Sequence, residues 1–186
     1  MSEELEVLKI VTRRLNEAEI PYMISGSIAA NYYTIPRMTR DIDVVIELKE
    51  NSTDKFVALF EDDFYVNREM IANEVARRGM FNLIHNRYVI KIDFILKKSS
   101  AYQNAEFSNR KQVLIDQCPM WLVSAEDLVI SKLLWAKESH SEMQLKDVAN
   151  LMETVTNLDS KYINNWIRKL GLEQIYKEAN DVRHAF

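Results

Sequence analysis

The chain has 186 residues, of which 47% are hydrophobic and 28% charged, with only three Gly and three Pro. This composition is typical of a globular protein with one core, with room for a modest helical appendage, and it argues against disordered and fibrous classes. The formal net charge of -4 gives no bulk indication of a protein that coats nucleic acid or a membrane surface.

The single cysteine and the N-terminal residues indicate the cellular compartment in which the protein is expected. Cys118 is the only cysteine, which excludes an internal disulfide framework and a Cys-rich zinc site. The first residues are acidic and lack the basic and apolar regions of a signal peptide, and no apolar run approaches the length of a membrane span. We therefore expect a soluble, cytoplasmic protein without a membrane partner.

The first third of the chain is predicted to begin with an amphipathic helix over residues 2–19, because apolar residues recur there at helical spacing. Residues 22–25 predict a short buried strand that leads into Gly26 and Ser27. A short helix is predicted over residues 28–33, so Ser27 would lie near its N-terminus. Free backbone N–H groups and the helix dipole favour an anion such as phosphate at that position.

A second strand, predicted over residues 41–48, carries two carboxylates among Ile and Val. Because side chains alternate along a strand, Asp41 and Asp43 share one face and apolar residues line the other. Carboxylates on such a strand are costly unless they are paired or hold a cation. A divalent metal is the explanation that we favour.

The middle of the chain predicts helices, an edge strand and a hairpin, in the order 53–61, 64–66, 68–78, 80–85 and 88–96. Asp93 interrupts the last of these apolar strands. The polar residues 97–109 predict an exposed loop, and residues 112–116 and 120–123 predict two short strands.

The last third is predicted to be helical, over residues 124–137, 142–155, 160–170 and 173–184. The expected fold class is α/β, with a small, mixed, twisted sheet flanked by helices and a helical C-terminal portion. We expect two domains, a core over residues 1–123 and a helical portion over residues 124–186 that packs on the core.

A glycine-serine turn, an Asp-x-Asp strand and a third strand aspartate together fit two-metal phosphoryl or nucleotidyl transfer. Mg²⁺ takes oxygen ligands, and two ions about 3.5–4 Å apart can stabilise the attacking and leaving oxygens. Asp41 and Asp43 would supply shared ligands, and Asp93 would be the third ligand or would orient the acceptor hydroxyl. As an isolated Asp-x-Asp pair, Asp41 and Asp43 would be better explained as exposed residues at a strand end. Asp93 alone could be an edge residue in an ion pair with Lys91.

The motifs Gly26-Ser27, Arg40-Asp41-Ile42-Asp43 and Lys91-Ile92-Asp93 together resemble those of the nucleotidyltransferase superfamily with the polymerase-beta-like fold. Within it, the chain resembles minimal nucleotidyltransferases and AbiEii-type toxin transferases over residues 20–150. The resemblance implies transfer of a nucleoside monophosphate from an NTP, such as ATP, with release of pyrophosphate. It also implies Mg²⁺ as cofactor, as two ions or with Mn²⁺ in its place.

The same resemblance implies further nucleotide-binding residues. Gly26 and Ser27 would approach the triphosphate, Arg37 would meet phosphate, Lys132 would contact the phosphates or the base, and Asp147 would support the site. From the residues alone, the Lys132 side chain could equally extend to the surface. Asp147 could likewise pair with a nearby lysine, either Lys146 or Lys137.

Two questions stay open from the sequence. The acceptor, which is RNA, a protein or a small molecule, is not encoded in a motif, and neither is the oligomeric state. The alternative function is a catalytically silent nucleotide-binding or interaction module of a toxin-antitoxin or regulatory system. Metal-dependent release of pyrophosphate distinguishes the enzyme from the silent module.

Overall fold

The structure is a computed structural model that describes residues 2–39 and 41–183. Arg40, part of the predicted Asp-x-Asp motif, and His184, the expected end of the last helix, lie outside the described residues. In the described part of the chain, the helices are α1 Glu3–Glu17, α2 Gly26–Tyr33, α3 Thr53–Phe60, α4 Arg68–Arg77, α5 Ala101–Ser108, α6 Ala125–Ser139, α7 Glu142–Thr154, α8 Ser160–Leu170 and α9 Glu173–Arg183. The strands are β1 Tyr22–Ile24, β2 Asp41–Ile46, β3 Phe64–Tyr65, β4 Met80–His85, β5 Lys91–Leu96, β6 Lys111–Ile115 and β7 Cys118–Leu122.

The described residues form two compact units. The sheet unit comprises those of Met1–Ile28 and Met38–Leu122, and the helical unit comprises those of Ala29–Arg37 and Val123–Phe186. The predicted α/β class with a mixed sheet and a helical last third is confirmed. The predicted division at residues 123 and 124, and the packing of the C-terminal portion on the core, stay predictions; the structure groups residues 29–37 with the helical unit.

The sheet unit contains one seven-stranded sheet in the order β3-β4-β5-β2-β1-β7-β6. β2 pairs in parallel with β5 and antiparallel with β1, while β1 pairs in parallel with β7. The remaining neighbours are antiparallel. The two strands that carry the predicted carboxylates are therefore neighbours in the middle of the sheet.

One face of the central strands is covered by an aromatic cluster. Phe81 and Phe94 stack across β4 and β5 with ring centroids 5.3 Å apart, and Phe56 of α3 contacts both rings edge-on. Arg14 of α1 pairs with Asp63 and lies over the adjoining rings of Phe60 and Phe64. The buried apolar residues that alternate with the aspartates of β2 and β5 share this side. The polar residues of both strands lie on the other face, together with Val45 and Ile95.

The helical unit is organised around α6, whose interior residues are largely buried. The Ser124 hydroxyl caps this helix by accepting a hydrogen bond from the backbone N–H of Asp127. α6 packs against α7, α8 and α9, and α7 also packs against α9. No helix within residues 2–39 and 41–183 combines the length and the apolar character needed to cross a membrane.

The predicted exposed loop over residues 97–109 is wrong, because most of it forms α5. Ser100 caps this helix by accepting a hydrogen bond from the backbone N–H of Gln103. Tyr102 and Phe107 are buried, and the charge of Lys97 lies over the Phe107 ring. The many polar residues of this segment favour a loop in a sequence-based prediction, although the segment forms a short helix with buried aromatic residues.

Candidate active site

The register of β2 and β5 brings the predicted carboxylates together. Asp43 lies directly beside Asp93, and Asp41 lies beside Lys91, in the parallel ladder. Because neighbouring positions on parallel strands share a face, all four side chains project from the same side of the sheet. We call Asp41, Asp43 and Asp93 the carboxylate cluster.

The members of the cluster differ in exposure. Asp41 begins β2 and is exposed, Asp43 is half-buried, and Asp93 is buried. Asn82 of β4 lies beside Asp93 in the next ladder. The cluster therefore opens to solvent at the Asp41 end and is closed by the sheet at the Asp93 end.

A lysine neutralises part of this negative charge. The Lys91 Nζ lies 2.8 Å from Oδ2 of Asp93 and 3.9 Å from Oδ2 of Asp41. The hydrogen bond to Asp93 raises the pKa of Lys91, and the charges of Asp93, Asp41 and Asp43 act in the same direction. Lys91 is therefore an ammonium ion within the cluster.

Position 26 requires a glycine for two reasons. Its φ of +61° is in the left-handed region that side chains disfavour, and a Cβ at this position would lie 1.8 Å from Oδ2 of Asp43. The backbone N–H of Ser25 donates to the carbonyl oxygen of Asp43 over 2.9 Å, which holds the two segments together. The glycine turn and the Asp43 carboxylate therefore fit against each other.

Gly26→Ala is expected to destabilise the protein by about 2–4 kcal/mol, since left-handed backbone costs about 1–2 kcal/mol and the Cβ clash adds to it. It should also displace the Asp43 carboxylate. Chemical denaturation measures the free energy of unfolding. Gly171→Ala is the matched control, because Gly171 has a φ of +62° but its nearest neighbour to a Cβ is Lys137 Nζ at 3.7 Å. Equal losses for the two variants would show that contact with Asp43 is not what requires Gly26.

Ser27 is the second residue of α2 and is half-buried. The first turn of this helix carries no acidic residue. Backbone N–H groups at such a turn, together with the hydroxyl, are donors suited to a phosphate oxygen. Ser27 therefore lies near the N-terminus of this helix, as predicted, and its phosphate contact stays a prediction.

The helical unit holds a second charged group of residues around Asp147. Arg37 donates from Nε to Oδ1 of Asp147 over 3.1 Å and from Nη2 to Oδ2 over 2.9 Å. Lys132 donates from Nζ to Oδ2 of Asp147 over 2.7 Å and to Oε1 of Gln144 over 3.0 Å. The side chains of Lys132 and Asp147 are only 3% and 5% exposed. We call Arg37, Lys132, Gln144 and Asp147 the ion-pair cluster.

Two cations act on one carboxylate in this cluster. Burial acts to raise the pKa of Asp147, but the hydrogen bond from Arg37 and the charge of Lys132 outweigh it, so the pKa lies below its ordinary value. The hydrogen bond to Asp147 raises the pKa of Arg37. Asp147 is therefore ionised at neutral pH and fixes the direction of both cations.

Several solved structures resemble most of the chain. An antigenic nucleotidyltransferase-like protein from Paracoccidioides brasiliensis superposes with a TM-score of 0.58 at 17% identity, covering 94% of this chain and 90% of its own. The antibiotic-resistance factor ANT(2'')-Ia gives 0.58 at 15% identity, with coverages of 97% and 96%. The lincosamide antibiotic adenylyltransferase LnuA, in its lincomycin-bound structure, gives 0.53 at 15% identity, with coverages of 83% and 99%.

The chain has the nucleotidyltransferase fold. No protein-family model matches the sequence, and a search of curated proteins finds no relative. At identities of 15–17% the structural likeness establishes the fold alone and assigns no role to an individual residue. The narrower resemblance to AbiEii-type toxin transferases stays a prediction.

The carboxylate cluster fits a divalent cation by its chemistry. Carboxylate oxygens are the ligands that Mg²⁺ prefers, and Asp41, Asp43 and Asp93 supply them from two adjacent strands of the nucleotidyltransferase fold. As they stand, no three His, Cys, Asp or Glu side chains of the described residues converge closely enough to hold an ion. Asp41, which is 57% exposed, has the freedom to turn toward one.

The structure thus assembles the predicted residues into two groups. Gly26, Ser27 and the carboxylate cluster belong to the sheet unit, whereas Arg37, Lys132 and Asp147 belong to the helical unit. The surface-exposed alternative for Lys132 is wrong, since the side chain is buried. Asp147 pairs with Arg37 and Lys132 rather than with the lysines considered from the sequence.

Two residues of these groups have no site role predicted from the sequence. The sequence indicates Lys91 only as an ion-pair partner of Asp93, although its position two residues before Asp93 on β5 places both side chains on one face. Gln144 lies one helical turn before Asp147 on α7, so it shares that helix face. A single glutamine on a helix does not by itself indicate a functional site.

Proposed function

We propose that the chain is a metal-dependent nucleotidyltransferase that transfers a nucleoside monophosphate from an NTP to an acceptor and releases pyrophosphate. The observation that carries the proposal is the pairing of Asp43 with Asp93 on adjacent parallel strands, with Gly26 packed against the Asp43 carboxylate. The nucleotidyltransferase fold supports it.

In this proposal Asp41, Asp43 and Asp93 hold the divalent ions. Mg²⁺ bound there supplies positive charge that stabilises the charge developing on the phosphoryl oxygens. Ser27 donates to a phosphate oxygen from its amide and hydroxyl. Gly26 allows the backbone to approach both the nucleotide and Asp43.

The reaction forms a bond from the acceptor oxygen to the α-phosphorus and breaks the bond from the α-phosphorus to the pyrophosphate oxygen. The acceptor hydroxyl has to lose its proton. Asp93 is the proposed group that orients this hydroxyl or accepts its proton, because it is a carboxylate directly beside the proposed metal ligand Asp43. The roles of Arg37 and Lys132 at the phosphates, and of Asp147 in supporting them, are further proposals from the resemblance.

Incubation with α-³²P-labelled NTPs and Mg²⁺ tests the function. Three acceptor classes are needed: RNA, protein including the chain itself, and small molecules with hydroxyl groups. The small-molecule panel should contain lincosamides and other hydroxylated antibiotics, because LnuA is a lincosamide adenylyltransferase. We expect labelling of one class that EDTA abolishes. Equal labelling by the wild type and by the Asp41→Asn and Asp43→Asn double variant would contradict the proposal.

One observation favours a second candidate, a catalytically silent nucleotide-binding or interaction module of a toxin-antitoxin or regulatory system. Lys91 already supplies a positive charge to Asp93 and Asp41, so the cluster has a cation without metal. The silent module predicts NTP or protein binding that is independent of Mg²⁺. Pyrophosphate release that requires Mg²⁺ and the carboxylate cluster would exclude it.

A further inference from the structure

We propose that Lys91 is a built-in counter-cation that occupies the carboxylate cluster without metal and has to leave Asp93 before a divalent ion binds. The inference rests on the proposed function, because it concerns the same carboxylates. It assigns Lys91 a role in setting the metal affinity of the site. It also explains how three neighbouring carboxylates are held together when metal is absent.

The position of the ammonium carries the first step. Lys91 and Asp93 are two residues apart on β5, so the strand itself delivers the Nζ to the face of the cluster. The Nζ contacts Oδ2 of Asp93 at 2.8 Å and lies 3.9 Å from Oδ2 of Asp41. One ammonium ion thus bridges the buried and exposed ends of the cluster.

Charge balance carries the second step. The three carboxylates occupy adjacent positions, and like charges about 4 Å apart repel by about 1 kcal/mol even in bulk water. The positive charge of Lys91 compensates part of the negative charge of the three carboxylates. A divalent ion bound to the same Asp93 oxygen would lie close to the ammonium and be repelled by it. The two cations therefore exclude each other at Asp93.

The unequal mobility of the partners carries the third step. The Asp93 side chain is 11% exposed and short, whereas the Lys91 side chain is 40% exposed on a flexible stem. Lys91 can therefore turn into solvent while Asp93 stays in place. Because partly exposed ion pairs contribute little free energy, a divalent ion can displace the ammonium at a modest cost.

Mn²⁺ binding to the full chain measures this competition directly, since the electron paramagnetic resonance signal of free Mn²⁺ falls as the ion binds. We expect Lys91→Met to bind Mn²⁺ about three- to tenfold more tightly than the wild type, in keeping with the small free energy of a partly exposed ion pair. Lys91→Arg keeps the cation and should bind no more tightly than the wild type. The Mn²⁺ binding that is lost in Asp43→Asn is the binding that belongs to the carboxylate cluster.

Lys9→Met is the matched control for the loss of one positive charge. Lys9 also pairs with a carboxylate in the sheet unit, but its partner Asp116 lies in the turn between β6 and β7, outside the cluster. An equal gain in affinity for Lys9→Met and Lys91→Met would overturn the inference, because it would reflect only net charge. Mn²⁺ binding that depends on Asp43 but is unchanged in Lys91→Met would overturn it too, and would leave the proposed function standing.

Thermal unfolding gives a second readout that does not depend on activity. Without metal, Lys91→Met should melt at a lower temperature than the wild type, because the carboxylates then repel without compensation. Adding Mn²⁺ should raise its melting temperature by more than that of the wild type. If neither protein shows Mn²⁺ binding that depends on Asp43, the metal site of the proposed function fails, and the inference about Lys91 fails with it.

Discussion

Asp43→Asn is expected to lower the rate of nucleotide transfer by about 10³-fold, because removing a metal ligand forfeits several kcal/mol of transition-state stabilisation. Asp43 lies beside Asp93, and Gly26 packs against its carboxylate, so this carboxylate lies between the glycine turn and the second aspartate strand. Asn has nearly the same shape but binds Mg²⁺ poorly. Initial rates at saturating NTP and Mg²⁺ measure the effect.

The matched control for this variant is Asp54→Asn. Asp54 pairs with Arg68 on the surface, and its side chain is 79% exposed. We expect this variant to transfer nucleotide at the wild-type rate, and both variants to show the cooperative thermal unfolding of a folded protein. A transfer rate for Asp43→Asn within a factor of two of wild type would contradict the metal-ligand role of Asp43.

Asp147→Ala is expected to cost about 3–5 kcal/mol of unfolding free energy, the usual loss when one partner of a buried ion pair is removed. The variant leaves the Lys132 ammonium, in a side chain only 3% exposed, without its carboxylate. Arg37 is 35% exposed and can turn to solvent. Urea denaturation measures the loss, and Asp54→Ala, which breaks a surface pair, should cost less than about 1 kcal/mol.

A double variant separates the buried charge from lost packing. Lys132→Met with Asp147→Leu removes both buried charges and retains apolar volume. We expect it to be more stable than Asp147→Ala, because replacing both members of a buried ion pair by apolar residues is often nearly neutral. A double variant less stable than Asp147→Ala would show that the ion-pair cluster is needed for packing rather than for charge compensation.

The stabilisation by Asp147 should depend on pH in a defined direction. The pKa of its carboxyl group in the folded protein lies below the ordinary value of 3.8. Its contribution is therefore fully present above that value and is lost as the pH falls through the lower folded pKa. The difference in unfolding free energy between wild type and Asp147→Ala should be constant from pH 5 to 7 and shrink below about pH 4. A difference that grows on acidification would contradict this account.

The sequence was sufficient to predict the carboxylate face. Asp41 and Asp43 alternate with buried Ile and Val, and Asp93 follows the same rule on its own strand, so the face of each could be predicted from strand periodicity. The turn at Gly26 and Ser27 was likewise predictable from its place between an apolar run and a helix. These signals are local, which is why a single sequence contains them.

Contacts between distant segments could not be predicted in the same way. The register that places Asp43 beside Asp93 depends on two strands pairing across a long connection. Arg37 and Asp147 are 110 positions apart, and only folding of the helical unit brings them together. The α5 helix was missed for a different reason, because its polar residues outweighed the buried Tyr102 and Phe107.

A crystal structure with a non-hydrolysable NTP and Mg²⁺ tests the central claim most directly. We expect at least one ion bound to oxygens of Asp43 and Asp93 at about 2.1 Å, the usual Mg²⁺–oxygen distance, and also to a phosphate oxygen of the nucleotide. Lys91 should then no longer contact Asp93. A nucleotide bound elsewhere, with Lys91 still paired to Asp93 and no ion at the carboxylate cluster, would contradict the account.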